Sequence, residues 1–299
     1  MRHIEPWLAT QGTGSTFTAI SRQDIADLEI PVPASIEEQV RISGQLDRIV
    51  DRLDEVKTRL ATIPSLLKRF RQSILAAACS GRLTEDWRAN NCLHAGWPVK
   101  ELASVGVVSG GITKNSNRNK LPLKVPYLRV ANVYENRLDL DEIKSIGITE
   151  QELDRTLLVA GDILIVEGNG SIDQIGRVAL WSGEITRCSH QNHLIRFRAG
   201  CEVLPKYVLF WLMSSQGREL LMNKATSTSG LHTLSISKIS SIAIPIPSLA
   251  EQVEIVQVAE NQILQADAVE ARYNKAMAFV DKLMPSILAK AGYVQSSGV

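Results

Sequence analysis

The chain of 299 residues lacks any run of about 18 apolar residues, so no stretch is suited to span a bilayer as a helix. Its start, Met1-Arg-His-Ile-Glu-Pro-Trp, lacks an apolar signal core, which predicts no export and a cytoplasmic location. Cysteine is scarce. Cys79, Cys92, Cys188 and Cys201 form no CxxC pair and show no metal-ligand spacing with histidine, so they read as buried or incidental thiols in a reducing compartment. A GxxxxGK[ST] phosphate loop is absent, which removes support for ATP hydrolysis. Glu167-Gly-Asn-Gly170 follows a strand pattern but lacks the GxGxxG and the opening helix of a dinucleotide site. It also lacks the Asn-Pro-Pro-aromatic tetrapeptide that amino-methyltransferases use. The five histidines are scattered, and His190 with His193 is too little for a metal site. These absences predict a chain with no catalytic residues, no cofactor and no metal of its own.

Net charge is also nearly lacking, at +1 from 33 basic and 32 acidic side chains, which argues against a surface coated in basic residues. Distribution matters more than the total. No acid stands between Glu101 and Glu135, while Lys114, Arg118, Lys120, Lys124 and Arg129 all fall there. Five positive charges on one segment suit a phosphate-contacting face, and charge alone equally allows a solvated loop.

What the chain does have is a long internal repeat. Ile30-Pro-Val-Pro-Ala-Ser-Ile-Glu-Glu-Gln-Val40 recurs, one residue shorter, as Ile244-Pro-Ile-Pro-Ser-Leu-Ala-Glu-Gln-Val253. Beyond it the offset holds at 213 residues, matching Ile42 to Ile255 and Ser73-Ile-Leu-Ala76 to Ser286-Ile-Leu-Ala289. Each copy predicts a short strand, a Pro-x-Pro stop and then a helix. Ser35 and Ser248 are the expected N-caps, and Glu38 and Glu251 stand at capping-box spacing. The first helix carries Ile42, Leu46, Ile49, Leu53, Val56, Leu60, Ile63, Leu67, Phe70 and Ile74 in four-three alternation, a coiled-coil seam. The second seam runs through Ile255, Ala259, Ile263, Ala266, Val269, Tyr273, Ala276, Val280, Leu283 and Ile287, mostly smaller. One large and one small seam suit each other, so the helices are expected to pair. Pro64 and Pro285 predict a kink or break in each. The stretch from Glu37 to Ile63 would be about 40 Å long at 1.5 Å per residue. That compares with roughly 34 Å for one turn of DNA.

Between the copies lies a mixed segment. Val125-Pro-Tyr-Leu-Arg-Val130, Asp162-Ile-Leu-Ile-Val166, Gly176-Arg-Val-Ala-Leu180 and His193-Leu-Ile-Arg-Phe197 read as strands separated by Gly, Asn and Ser clusters. One amphipathic helix fits Lys206 to Met222. From His94 to Ser248 there are 17 basic and 14 acidic side chains, a balance of +3 that permits nucleic acid without demanding it. The loops are well supplied with base-reading side chains: Asn115, Asn117, Asn119, Asn132, Asn169, Gln191 and Asn192. Asn169 and Ser171 sit in a glycine-flanked turn where backbone can approach phosphate. Ser227-Thr-Ser-Gly230 offers further hydroxyl and amide donors. Each of these singly also reads as a turn former.

Trp97-Pro-Val-Lys-Glu-Leu, Ser109-Gly-Gly-Ile-Thr-Lys114, Val125-Pro-Tyr-Leu-Arg-Val-Ala-Asn132, Ala160-Gly-Asp-Ile-Leu-Ile165, Ile175-Gly-Arg177 and Ile244-Pro-Ile-Pro with Glu251-Gln252 occur in that order. Together they resemble a target-recognition domain of a type I restriction-modification specificity subunit. Ser73-Ile-Leu-Ala-Ala-Ala-Cys-Ser-Gly-Arg-Leu83 is similar to the spacer helix that follows such a domain. The resemblance covers nearly the whole chain and implies an α+β fold: one globular target-recognition domain and two long helices forming an antiparallel coiled coil. It implies the tail of a first recognition domain over 1–33, a first spacer helix region over 34–92, the recognition domain over 93–248 and a second spacer over 249–299. The chain is thus expected to be truncated at the front, with one complete recognition domain. Gly12-Thr-Gly-Ser-Thr-Phe-Thr resembles Ser229-Gly-Leu-His-Thr near the end of the complete one.

The family resemblance further implies a non-catalytic subunit that reads half of a bipartite site in double-stranded DNA. It implies docking to methyltransferase subunits, which carry S-adenosylmethionine, and through the complex to nuclease/translocase subunits. A homodimer reading a palindromic site and a coiled-coil interaction protein or regulatory remnant without DNA specificity are the alternatives carried. On this reading Lys114, Arg118, Lys120 and Arg129 are expected to position phosphates. Asn132, Asn169, Gln191 and Asn192 are the candidate base readers, with Ser171 beside the backbone.

Overall fold

The computed structural model describes residues 32–93, 96–169, 174–228 and 231–293, together with Arg22 and Ala26. The Gly12–Thr18 likeness and the proposed recognition-domain tail lie almost wholly outside the described residues. The chain divides into two compact units, one of residues up to Lys68 with Ala266 onward, the other Arg69–Gln265.

Helices α1 (Ile36–Ala61) and α2 (Ile63–Ser80) follow the first repeat copy. The break falls at Thr62, where Pro64 stands in the first turn of α2, a position that needs no N–H partner. Ser35 Oγ accepts from Glu38 N at 3.2 Å, as its spacing predicts. In the first unit Leu53 and Val280 are buried, and Lys57 Nζ lies 3.0 Å from Asp281.

The second unit continues through α3 (Glu85–Asn90), β1 (Val99–Glu101), α4 (Leu102–Val105), β2 (Gly106–Gly110), β3 (Lys124–Leu128), β4 (Val133–Tyr134), β5 (Arg137–Leu138) and β6 (Lys144–Gly147). Then come α5 (Glu150–Thr156), β7 (Ile163–Val166), β8 (Gly168–Asn169), β9 (Val178–Leu180), β10 (Ser189–His190) and β11 (Leu194–Ala199). Last are α6 (Pro205–Met213), α7 (Ser215–Lys224), β12 (Thr226–Thr228), β13 (Leu231–Thr233), α8 (Ile236–Ser240), β14 (Ala243–Pro245) and α9 (Leu249–Tyr293).

The single helix expected over 206–222 is two helices. Ser214 ends α6 and caps α7, its Oγ accepting from Gly217 N at 3.1 Å, while a Cβ on Gly217 would come within 2.0 Å of Trp211 O. The break expected at Pro285 is not made, since α9 runs through it. The capping boxes form only their backbone half in each copy: the carboxylates of Glu38 and Glu251 bond elsewhere.

The centre is the antiparallel sheet β2-β11-β7-β9. β7 is buried on both faces because alternate residues enter two cores. Ile163 and Ile165 pack with Phe197, Trp211 and Ile244. Leu164 and Val166 pack with Leu128, Trp181 and Cys188. A smaller sheet, β10-β3-β6, gathers Ile112, Val125, Tyr127 and Leu153. The strand β14 of the repeat pairs antiparallel with β1.

The helix that follows β14 is seated by buried polar groups. Gln252 is buried, its Nε2 donating to Pro247 O and Glu202 O and its Oε1 accepting from Leu204 N at 2.7 Å. Glu251 is also buried and accepts from Thr84 Oγ1 at 2.8 Å and Trp97 Nε1 at 2.9 Å, with Arg88 Nε at 3.4 Å. Ile255 and Ala259 then pack on Ile74, Ala78 and Phe210.

Candidate nucleic-acid interface

The four strands of the central sheet bring one set of loops to one end. Antiparallel pairing sets Gly110, the end of β2, beside Ile195, the second residue of β11. It sets Leu194 beside Val166, the end of β7, and Ile165 beside Val178, the start of β9. The segments beyond these residues are therefore neighbours: 111–123, 190–193, 167–169 and 175–177. Main-chain bonds stitch them together. Ile112 N donates to His190 O at 2.8 Å, and Asn192 N to Ile112 O at 2.9 Å. Glu167 N donates to His193 O at 3.0 Å, and Val166 N to Arg177 O at 2.9 Å. With neighbouring strands about 4.8 Å apart, this end is about 14 Å across.

Two glycines make the approach possible. A Cβ on Gly111 would lie 2.1 Å from His190 O, so no other residue lets the basic loop leave the sheet against β10. A Cβ on Gly147 would lie 1.9 Å from Arg118 O, so glycine there lets the turn Ser116–Lys120 rest on β6.

Lys114 and Lys120 are exposed, as are Asn115, Asn117 and Asn119. Lys114, Asn115, Arg118 and Asn119 line an open cavity of about 300 Å³ floored by Tyr127 and Ile146. Gln191 and Asn192 are half-buried at the turn between β10 and β11, directly beside that loop. Asn169 is the last residue of β8, opposite His232 of β13. Ser171, Ser229 and Gly230 lie outside the described residues, while Ser227 and Thr228 belong to β12.

Three of the expected contact residues are occupied within the domain. Arg118 donates to both oxygens of Glu152 at 2.8 and 3.0 Å and to the carbonyls of Thr113 and Gly147. These hydrogen bonds, with that from Thr149 N, hold the Glu152 carboxyl down at about 2. Arg129 donates to Glu142 O at 3.0 Å and its side chain is 19% exposed. Asn132 is buried. Its Oδ1 accepts from Arg129 N and its Nδ2 donates to the carbonyls of Asp139 and Glu142. The expectation that Asn132 reads a base is therefore revised: its amide has no exposed edge, and it folds the loop instead. Arg118 likewise shapes the basic loop with every nitrogen bonded.

His190 underlies the turn. It is fully buried, and its Nδ1 donates to Leu194 O at 2.9 Å. Burial first, and then the Arg196 guanidinium, push its imidazole down to about 4, so it stays neutral at neutral pH. Sequence reasoning passed over Tyr134, Arg137 and Arg177 at the β9 edge, where both guanidiniums lie over the tyrosine ring. The interleaved arginine and tyrosine were the available signal, but only folding brings Arg177 to the hairpin. Among the described residues no cluster of three His, Cys, Asp or Glu side chains is placed to hold a metal. The buried thiols of Cys79 and Cys188 are pushed up to about 12 by burial.

A mixed unit with loops gathered at one sheet end, followed by a long repeat helix, defines a class. The chain belongs to the family described as type I restriction modification DNA specificity domain, whose model matches residues 94–275. It is 32% identical over 290 residues to the type I restriction enzyme EcoKI specificity subunit of Escherichia coli strain K12, covering 95% of this chain and 61% of that one. It is 31% identical over 286 residues to the StySPI specificity subunit of Salmonella potsdam, with the same coverage of 95% and 61%. The chain thus spans about three fifths of these relatives' length. A chain in a solved structure of a type I R-M system shares the fold, with a TM-score of 0.71 at 19% identity over 97% of this chain and 67% of that one. The HsdS subunit from Thermoanaerobacter tengcongensis does so at 0.58 and 21%, over 98% and 68%. No helix among the described residues is long and apolar enough to cross a membrane.

Proposed function

We propose that this chain is the non-catalytic DNA-recognition subunit of a type I restriction-modification complex, acting in the cytoplasm. The carrying observation is the convergence of the basic loop, the Gln191–Asn192 turn and Asn169 on one end of one sheet. Lys114 and Lys120 contact phosphates there, sequence-independently and with strong salt dependence. Gln191, Asn192, Asn169 and the exposed Asn119 face base edges, where a two-pronged amide suits adenine. Arg118, Arg129 and Asn132 hold the loops in shape, and Ser171 stays a backbone contact.

The second part of the proposal concerns spacing and assembly. Helices α1–α2 and α9 form an antiparallel coiled coil that sets the separation of two half-sites and docks methyltransferase subunits, and through them nuclease/translocase subunits. The buried Leu53 and Val280 and the Lys57–Asp281 ion pair support the pairing. On this reading recognition spans 93–248, the spacers 34–92 and 249–299, and a recognition-domain tail 1–33. A second copy of the chain is a further partner, giving two half-sites from two chains.

The test is co-expression with the methyltransferase subunit, followed by mapping of methylated adenines across the host genome. A two-part motif with a fixed gap is expected, and a palindromic motif would identify paired copies. A stable complex that methylates nothing would refute the specificity role.

A further inference from the structure

The β9 edge of the same sheet end carries an aromatic and basic cluster that is independent of the Lys114 loop. The hairpin β4–β5 turns at Asn136, whose φ is 51°, and Asn136 N donates to Val178 O at 2.8 Å. That bond fixes the hairpin tip at the first residue of β9, next to Arg177. Tyr134, 38% exposed, then receives two guanidiniums: Arg137 Cζ lies 4.6 Å from its ring centroid and Arg177 Cζ 5.2 Å. Arg177 Nε is buried with no hydrogen-bond partner among the described residues. Among the described residues one carboxylate, Glu135, faces Arg177 here.

Two arginines stacked on one ring repel each other and are held by the ring, with Glu135 also facing Arg177. Such guanidiniums are pre-ordered and keep their donor forks for an anion, which lowers the entropy lost on binding. Their position defines the anion. The stack lies beyond the β9 edge and the Lys114 loop beyond the β2 edge, and these two edge strands are about 14 Å apart across the four-stranded sheet. The two backbones flanking the major groove of B-DNA are about 12 Å apart. Between the two basic edges lies the Gln191–Asn192 turn.

We propose that the Arg137–Tyr134–Arg177 stack is a second phosphate-binding edge, so that the sheet end straddles the major groove with one DNA strand held at each side. This rests on the proposed DNA-recognition role and adds to it a docking geometry.

The full chain is titrated against a fluorescein-labelled random-sequence duplex by anisotropy over a range of salt concentrations. Arg137→Ala removes an exposed side chain, and its thermal midpoint is expected to match the parent's. Its affinity should fall roughly three- to ten-fold for any sequence, and its log–log salt slope by about 0.9. Arg137→Lys should restore most of the slope, and Tyr134→Ala should weaken binding as Arg137→Ala does. Lys114→Ala with Arg137→Ala should lose the product of the single effects, because the two contacts are separate. If Lys114→Ala weakens binding while Arg137→Ala leaves affinity and slope at parental values, the second edge is overturned and the recognition role stands. A double variant no weaker than either single one overturns the straddling geometry. If the parent chain binds no duplex at all, both proposals fall.

Discussion

Replacing Glu251 with alanine is expected to be the most costly single change at the start of α9. The Glu251 carboxylate is 2% exposed and accepts from Thr84 Oγ1 and Trp97 Nε1 at 2.8 and 2.9 Å, beside Arg88 Nε at 3.4 Å. Truncation strands a hydroxyl that is 1% exposed and a half-buried indole N–H, and leaves a guanidinium only partly hydrated. Each stranded donor costs about 1–3 kcal/mol, and breaking a buried charged pair from one side costs about 3–5 kcal/mol. Because Arg88 can rehydrate, the sum for Glu251→Ala should fall near 4 kcal/mol, with a thermal midpoint lowered by roughly 10 °C. Urea denaturation followed by tryptophan fluorescence reads this directly. A double-mutant cycle with Trp97→Phe should show a coupling of about 1 kcal/mol or more. Glu38, its repeat equivalent, bonds only to its neighbour Arg41 on an exposed surface, so Glu38→Ala should leave the midpoint unchanged. Equal effects of the two substitutions, or a Glu251→Ala cost under about 1 kcal/mol, would refute this account.

Asn132→Ala should destabilise the second unit by about 2–3 kcal/mol in the same denaturation assay, while leaving base discrimination unaltered at temperatures where the variant is folded. Gly111→Ala forces a methyl to within 2.1 Å of His190 O, so thermal melting should show a loss large enough to compromise folding. The Glu152 carboxyl is depressed from 4.5 to about 2, chiefly by Arg118, so its contribution is full at pH values well above 4.5 and is lost as pH falls toward 2. The stability gap between parent and Glu152→Gln should accordingly be constant near neutrality and shrink as pH drops from about 5 to about 3. Lys57→Glu should lower the midpoint of the first unit, and adding Asp281→Lys should restore it; failure to restore would count against paired helices.

The sequence by itself determined the local pieces. The 213-residue repeat marked where both long helices begin, because a serine cap after Pro-x-Pro acts within one turn and needs no distant partner. The Gln of each copy confirms how local this is: Gln39 donates to Pro33 O and Gln252 to Pro247 O. The strands at 163–166 and 194–199 were legible for the same reason, whereas the expected seam residues Ile49, Val56, Phe70 and Val269 are exposed. The split at Ser214 was not legible, because it follows from how closely Gly217 packs on Trp211 O. Tertiary structure decided which of the polar side chains remain available. Asn132 and Gln191 look alike as loop amides, yet one is buried among carbonyls 7 and 10 residues away and the other stands half-exposed at a sheet end. Glu38 and Glu251 occupy the same place in the same motif, yet only Glu251 is enclosed by residues more than 150 positions away. Burial and partner identity depend on chain segments brought together from far apart, and a local pattern carries no information about them.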